Sequence, residues 1–285
     1  MSQQPAQFTP DTTTAIVGVG LIGGSIAAAL KSRGHRGRIV GIGRNANRLE
    51  SAVDAGLIDE FATDSAQVQA DLYVFCTPVD RIPKDVFHAS ETANANAVFT
   101  DAGSVKELIC NTLDADALGR FVGSHPLAGS EKRGFEYAEP DLFVDRVCIV
   151  TPTENSADSS VDFIEQFWRS IGMRTLRMSP AEHDAALAQT SHLPHLMASV
   201  LAGCLPMDWA NLTSTGFADT TRIAAGDAEL WTAILLQNQG PVLAACDRFE
   251  ETWRKFRQAI ETSDATELTR QLAQAKNIRD SINTD

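Results

Sequence analysis

Residues 17–25 read Val-Gly-Val-Gly-Leu-Ile-Gly-Gly-Ser and join an apolar, β-branched run to a helical stretch at 22–31. This junction constrains the fold more than any other segment. In the spacing Gly18-x-Gly20-x-x-Gly23 the first glycine permits a tight turn, the second a close backbone approach, and the third close packing of helix on strand. A helix entered this way presents unbonded amides to an anion. The context predicts a βαβ unit that holds a dinucleotide pyrophosphate, with Gly18, Gly20, Leu21, Ile22 and Gly23 as candidate contacts. A purely structural glycine turn is the alternative.

Short β-branched runs recur at 14–19, 38–42, 71–76, 97–101 and 120–123, separated by amphipathic stretches, which is the pattern of a parallel sheet covered by helices. Runs at 147–151 and 174–178 flank a helical stretch at 161–170, so the sheet is expected to extend to about residue 178. From Pro180 onward apolar residues recur only at helical spacing, as in Leu187, Leu193, Leu196, Val200 and Leu201. The fold class expected is α/β: an N-terminal Rossmann-type, doubly wound parallel sheet followed by an all-helical domain. The boundaries expected are a disordered tail at 1–12, a dinucleotide-binding domain at 13–178 and a helical substrate and dimerisation domain at 179–285. Gly240-Pro241 should kink or break a helical pattern that runs from about 229 to 260.

The balance of 24 basic against 37 acidic residues gives a formal charge of −13, and no basic cluster is long enough to follow a phosphate backbone. Nucleic-acid binding is therefore not expected. An anionic substrate would be repelled at long range, so its site must concentrate positive charge locally. Five scattered cysteines without a CxxC pair argue against a disulfide scaffold or zinc site. The first dozen residues lack the apolar core of a signal peptide, and no apolar run is long enough to span a bilayer, so a soluble cytoplasmic protein is expected.

Several polar residues fall where such a sheet binds ligands. The second strand ends Gly41-Ile42-Gly43-Arg44, with glycine where a ribose-binding carboxylate would select NAD, and Arg44 next to it. That favours NADP, or use of both cofactors, although Arg44 also reads as a solvated surface residue. Thr77 and Pro78, just past the strand at 71–76, join the cofactor candidates. Ser104 follows the strand at 97–101 and suits either a substrate hydroxyl or the N-cap of a helix at 105–113. His125 lies in a short Gly/Pro-bounded loop, Gly-Ser-His-Pro-Leu-Ala-Gly-Ser-Glu at 123–131, and can relay a proton beside a cofactor or serve as a turn histidine.

Farther on, His183-Asp184 and Ser191-His192-Leu193-Pro194-His195 put three of the six histidines within thirteen residues. A metal site is not expected there, because no cysteine or further carboxylate is suitably spaced. One of His192 and His195 is expected to donate to substrate or cofactor and the other to be a core histidine. Arg222 suits a small carboxylate or an i, i+3 pair with Asp219, and Trp231 reads as helical core.

These segments together resemble the prephenate/arogenate dehydrogenase (TyrA) family of tyrosine biosynthesis. The carriers are GVGLIGGS at 18–25, TDAGSVK at 100–106, GSHPLAGSE at 123–131, HDAALAQTSHLPH at 183–195 and GFADTTRIAAGDAELW at 216–231. The resemblance implies oxidative decarboxylation of a cyclohexadienyl substrate with hydride transfer to NAD or NADP. It implies that His125 is the catalytic histidine, accepting a hydrogen bond from the ring C4 hydroxyl, and that Ser104 helps orient that hydroxyl and the nicotinamide. It implies that Arg222 holds a substrate carboxylate, that His195 lies close to substrate and nicotinamide, and that Asp184, Glu131 and Trp231 support the pocket. It also implies a homodimer formed through the helical domain. With little chain left for a regulatory domain, any tyrosine feedback is expected at the active site.

Two other classes share this architecture. A β-hydroxyacid dehydrogenase needs a lysine in the second region, and no lysine lies between Lys132 and Lys255. Imine reductases, or a non-catalytic NAD(P)-binding sensor, are not excluded by that argument. The sequence leaves prephenate against arogenate and the role of His192 open.

Overall fold

A computed structural model describes residues 7–113, 119–129 and 132–282. Strands β1 (Thr14–Val17), β2 (Ile39–Ile42), β3 (Glu60–Ala62), β4 (Leu72–Phe75) and β5 (Val98–Asp101) form a parallel sheet in the order β3-β2-β1-β4-β5. Except for β3, each strand is buried along its whole length, as helices on both faces require. Side chains alternate between two cores: Ile16, Leu72 and Val74 face one, and Ala15, Val17, Tyr73 and Phe75 face the other. Helices α1 (Leu21–Ser32), α2 (Ala46–Asp54) and α3 (Ile82–Ser90) lie in the connections between these strands, and α4 (Glu107–Thr112) follows β5. The edge strand β3 has no sequence counterpart because it is three residues long and partly exposed, so it carries no apolar run.

The expectation of one parallel sheet reaching residue 178 needs correction. Strands β6 (Gly123–Pro126), β7 (Val147–Thr151) and β8 (Arg174–Arg177) form a separate three-stranded sheet in which β6 and β7 are antiparallel. An isolated parallel bridge, Phe99 to Phe121, leads from β5 towards β6. Helix α5 (Asp158–Ser170) connects β7 to β8, and its Phe163, Phe167 and Trp168 enter the core. The strand expected at 120–123 is displaced to Gly123–Pro126, so His125 sits on a strand opposite Ile149 and not in a loop. Pairing with β7 overrides the local Gly and Pro signals, and Pro126, as the last residue, removes little from the ladder.

Residues 8–12, expected within a disordered tail, are folded. The Phe8 ring lies edge-on to Phe163 and Phe167 at 5.8 and 5.4 Å, and Pro10 O accepts the amides of Arg36 and Gly37. Aromatic burial anchors a segment whose remaining residues are polar.

After Arg177 the described residues hold helices and no strands. They are α6 (Pro180–Leu187), α7 (Leu193–Gly203), α8 (Thr215–Thr221), α9 (Ala228–Gln237), α10 (Gln239–Glu261) and α11 (Ala265–Ser281). Helix α6 opens with a capping box, Ser179 Oγ accepting from the Glu182 amide and the Glu182 carboxylate from the Ser179 amide. Between α6 and α7 the ladder widens to a π turn, Ala188–His192, which accommodates Pro194 and its missing N–H. The helix break expected at Gly240-Pro241 falls at Asn238, and Pro241 lies in the first turn of α10, where no N–H is needed. The chain divides into two compact units, Met1–Asn238 and Gln239–Asp285. Residue 178 is thus a change of fold type, whereas the division of packing follows Asn238. In the second unit α10 and α11 pack on each other. Among the described residues no helix is long and apolar enough to cross a membrane.

Two features of this fold are measurable. A Cβ on Gly23 would lie 2.3 Å from Gly18 O, so Gly23→Ala must displace the turn after β1. We expect this variant to lose cofactor affinity and roughly 1–3 kcal/mol of stability, read by cofactor titration and urea unfolding. His192, whose Nδ1 accepts from Asn238 Nδ2 at 3.0 Å, is buried deeply enough to push its pKa down to about 4 from 6.5. The unfolded chain therefore binds the extra proton first, and stability that is complete above about pH 7 falls on acidification towards pH 4. Between pH 7.5 and pH 5 this group alone should cost about 2 kcal/mol in urea unfolding, a loss that His192→Gln should reduce.

Candidate active site

The glycine turn after β1, Thr77 and Pro78 after β4, Ser104 after β5 and His125 near the end of β6 all lie at the carboxyl edge of the strands. In open α/β folds that edge is where ligands bind. Gly18 has a φ of +95°, and a Cβ there would meet Cys76 O at 2.8 Å, so the turn presses directly on the segment after β4. Around Gly20 nothing lies within 4 Å of a Cβ position, and α1 starts with no capping side chain and no acidic residue in its first turn. The start of α1 is therefore open beside Gly20, and the partial positive charge of its first amides, those of Leu21, Ile22 and Gly23, suits an anion. Gly129 lies across from it, its Cβ position 3.9 Å from Ile22 Cδ1, which brings the segment after His125 over the start of α1.

Thr77 Oγ1 donates to Asp85 Oδ2 at 2.7 Å, which fixes the segment after β4, and Pro78 is exposed. Arg44 is exposed and has no ion-pair partner among the described residues, while Gly43 adds no bulk near it. A phosphate on the adenosine ribose would meet a free guanidinium there.

Behind the edge lies a buried polar group. The Asp101 carboxylate accepts the Lys106 ammonium and the Gly103 amide on Oδ2, and the Ser124 amide on Oδ1, with both charged side chains fully buried. Ser124 Oγ donates to Asp101 O at 2.6 Å and accepts from Trp168 Nε1 at 2.9 Å. These bonds fasten β5 to β6 and set the backbone that carries Ser104 and His125. Ser104 is not a helix cap: α4 starts at Glu107, and Ser104, half-buried, makes no hydrogen bond with its side chain to another described residue. The amides at that helix start are taken by Asp184, whose Oδ1 accepts from Lys106 N at 2.8 Å and Oδ2 from Glu107 N at 2.9 Å.

His125 is half-buried, and its Nδ1 lies 2.9 Å from His183 Nε2. His183 in turn places Nδ1 2.7 Å from Asp184 Oδ1, completing a chain from the sheet edge into α6. Burial, with added repulsion from His183, Lys106 and His192, holds the His125 imidazole well below its ordinary pKa. Burial also lowers the pKa of His183, against the opposing effect of its hydrogen bond to Asp184. Both rings are thus neutral near pH 7. Asp184 is expected from the sequence to line the substrate pocket; it is 1% exposed and both its oxygens are used by the protein, so it acts through its neighbours.

His195 is 6% exposed, and its ring stacks on Trp231 at 3.5 Å between centroids. Gly226 closes over the pair, with no space for a Cβ. Trp231 is half-buried and is therefore not the core residue expected, because its face is spent on His195. The ring nitrogens of His195 make no hydrogen bond to a described residue, whereas His192 is bonded to Asn238 as a core histidine. Arg222 is exposed in a 3₁₀ turn, Arg222–Ala225, that packs on α7, the helix carrying His195, and it forms no ion pair with Asp219. Glu131 lies outside the described residues. No group of three or more potential metal ligands occurs among the described residues.

Three residues that shape the site have no role in the sequence reading: Lys106, Asn238, and His183 as a partner of His125. Lys106 and His183 stand in quoted motifs, but their partners are distant in sequence. Asn238 Nδ2 donates to Asp184 O at 2.8 Å as well as to His192.

Residues 26–177 match the family model described as prephenate dehydrogenase, nucleotide-binding domain, and residues 179–274 match prephenate dehydrogenase, dimerization domain. The chain is 32% identical to a prephenate dehydrogenase of Bacillus subtilis, over 95% of this chain and 76% of that protein. A crystal structure of prephenate dehydrogenase from A. aeolicus in complex with hydroxyphenyl propionate and NAD+ is 33% identical, with a TM-score of 0.90 over 95% of this chain and 98% of that one. Synechocystis arogenate dehydrogenase is 32% identical, with a TM-score of 0.80 over 94% and 99% of the two chains. With two family models together covering most of the chain, and relatives above 30% identical over about 95% of it, the chain belongs to the prephenate dehydrogenase family.

Proposed function

We propose that this protein is an NAD(P)-dependent prephenate or arogenate dehydrogenase, converting a cyclohexadienyl substrate to 4-hydroxyphenylpyruvate or tyrosine with loss of CO2. The observation that carries the reading is His125, neutral and half-buried at the carboxyl edge that also holds the open glycine cradle. The bound nicotinamide supplies the hydride acceptor. The residues of the chain handle the charges and the proton. His125 takes the C4 hydroxyl proton on Nε2 as the C4–H electron pair leaves, which stabilises the oxygen that becomes a carbonyl. The C1–carboxylate bond then breaks, its electron pair enters the ring, and the proton returns to the ring oxygen. Aromatisation drives the sequence, so the protein's task is alignment.

Ser104, with its hydroxyl unused by the described residues, orients the substrate hydroxyl. Arg222 receives a substrate carboxylate bidentately, which answers the repulsion expected from a chain of charge −13. His195, held flat against Trp231, presents its free ring nitrogens to substrate or cofactor. Arg44 meets the 2′-phosphate of NADP, and Gly43 leaves NAD acceptable. The enzyme works in the cytoplasm as a homodimer formed through the helical region.

The test is reduced-nicotinamide absorbance with prephenate and arogenate each crossed with NAD+ and NADP+. Turnover in at least one combination is expected, and silence in all four with cofactor bound would leave the sensor reading. His125→Ala should lower kcat by ~10²–10⁴-fold with little change in KM. Arg222→Ala should raise the substrate KM by roughly 10–100-fold and spare kcat. For Arg44→Ser the KM for NADP+ should rise about tenfold while that for NAD+ holds; equal changes for both cofactors would remove the assigned role.

A further inference from the structure

A hydrogen bond between two neutral imidazoles needs one N–H and one lone pair. His125 Nδ1 and His183 Nε2 are such a pair, 2.9 Å apart with their rings inclined at 63°. Which nitrogen donates is decided one residue farther along. His183 Nδ1 lies 2.7 Å from Asp184 Oδ1, and each Asp184 oxygen already accepts a backbone amide, Lys106 N at 2.8 Å or Glu107 N at 2.9 Å. Amides only donate, so the carboxylate is an acceptor and His183 Nδ1 carries the hydrogen. Neutral His183 then keeps its lone pair on Nε2. His125 must bring the hydrogen on Nδ1, which leaves its Nε2 as a lone pair with no partner among the described residues.

We propose that His183 is a positioning residue that sets the tautomer of His125, so that Nε2 of His125 is always the nitrogen able to receive a proton. An imidazole in water favours hydrogen on Nε2, so an unrestrained His125 would present an N–H where a lone pair is required. The assignment rests on reading His125 as the proton acceptor. When the substrate O–H bond breaks, the new N–H bond forms on His125 Nε2, and the oxygen retains the electron pair. Positive charge on His125 is then favoured through His183 by the Asp184 carboxylate. Burial of both rings, which keeps them neutral beforehand, agrees with this order of events.

The experiment is two-bond ¹⁵N–¹H correlation spectroscopy of histidine-labelled full-length protein, with His125→Asn used to assign the resonance. Wild type should show His125 as the Nδ1–H tautomer, and an Nε2–H tautomer would overturn the proposal. His183→Leu removes the acceptor and should shift His125 towards Nε2–H, lowering kcat about 10–100-fold with KM changed less than about threefold. His183→Gln can donate to Asp184 and accept from His125, so it should retain Nδ1–H and a kcat within about tenfold of wild type. A His183→Leu protein with the original tautomer and full kcat would also overturn it. Should that variant not fold, the wild-type and His183→Gln spectra decide. The underlying reading fails separately: Nδ1–H in wild type with full turnover in His125→Ala would remove His125 as the proton acceptor and leave its tautomer explained.

Discussion

The Asp184 carboxylate holds together more of this molecule than any other group. It is buried, accepts three hydrogen bonds and joins two parts of the chain about 80 residues apart, the start of α4 and the start of the helical half. Without it two helix-terminal amides would be left without partners in a dry interior, a cost of about 1–3 kcal/mol each. Because one of its oxygens also holds His183, the bond that docks helices on the sheet edge also orients the ring that meets His125. Structure and chemistry draw on the same three lone pairs.

The Asp101–Lys106 pair works one layer deeper. Two charges removed from water are costly unless they are paired and hydrogen-bonded, and here the backbone amides of Gly103 and Ser124 add two bonds to the carboxylate that holds Lys106. The pair gives geometric definition: β5 and β6 belong to different sheets, and Ser124 with Trp168 fastens them at the place where Ser104 and His125 leave the strands. A loosely packed apolar edge would close the gap without setting those two side chains.

What could be read from the sequence follows from how local the physics is. The glycine turn is legible because its demands, a positive φ at Gly18 and contact distance at Gly23, are met within six residues. The parallel strands are legible because burial on both faces leaves unbroken apolar runs. His125 reads as a loop residue because its strand exists only by pairing with β7, more than twenty residues on. The partnership of His125 and His183 spans 58 positions, and no spacing rule reaches that far. Trp231 carries the same ambiguity in smaller form, since helical periodicity gives the face of a side chain and not what lies against it. Phe8 was hidden by its neighbours: a polar, proline-containing start looks disordered until one ring finds the α5 core.

Lys106 gives the sheet edge a built-in reporter. Its ammonium is wholly enclosed, with Asp101 as its partner, so an amine-directed reagent in water cannot reach it while β5, β6 and the start of α4 stay closed. Labelling of this lysine then measures how often that edge opens, and its rate reads the breathing beneath the candidate site without substrate, cofactor or turnover.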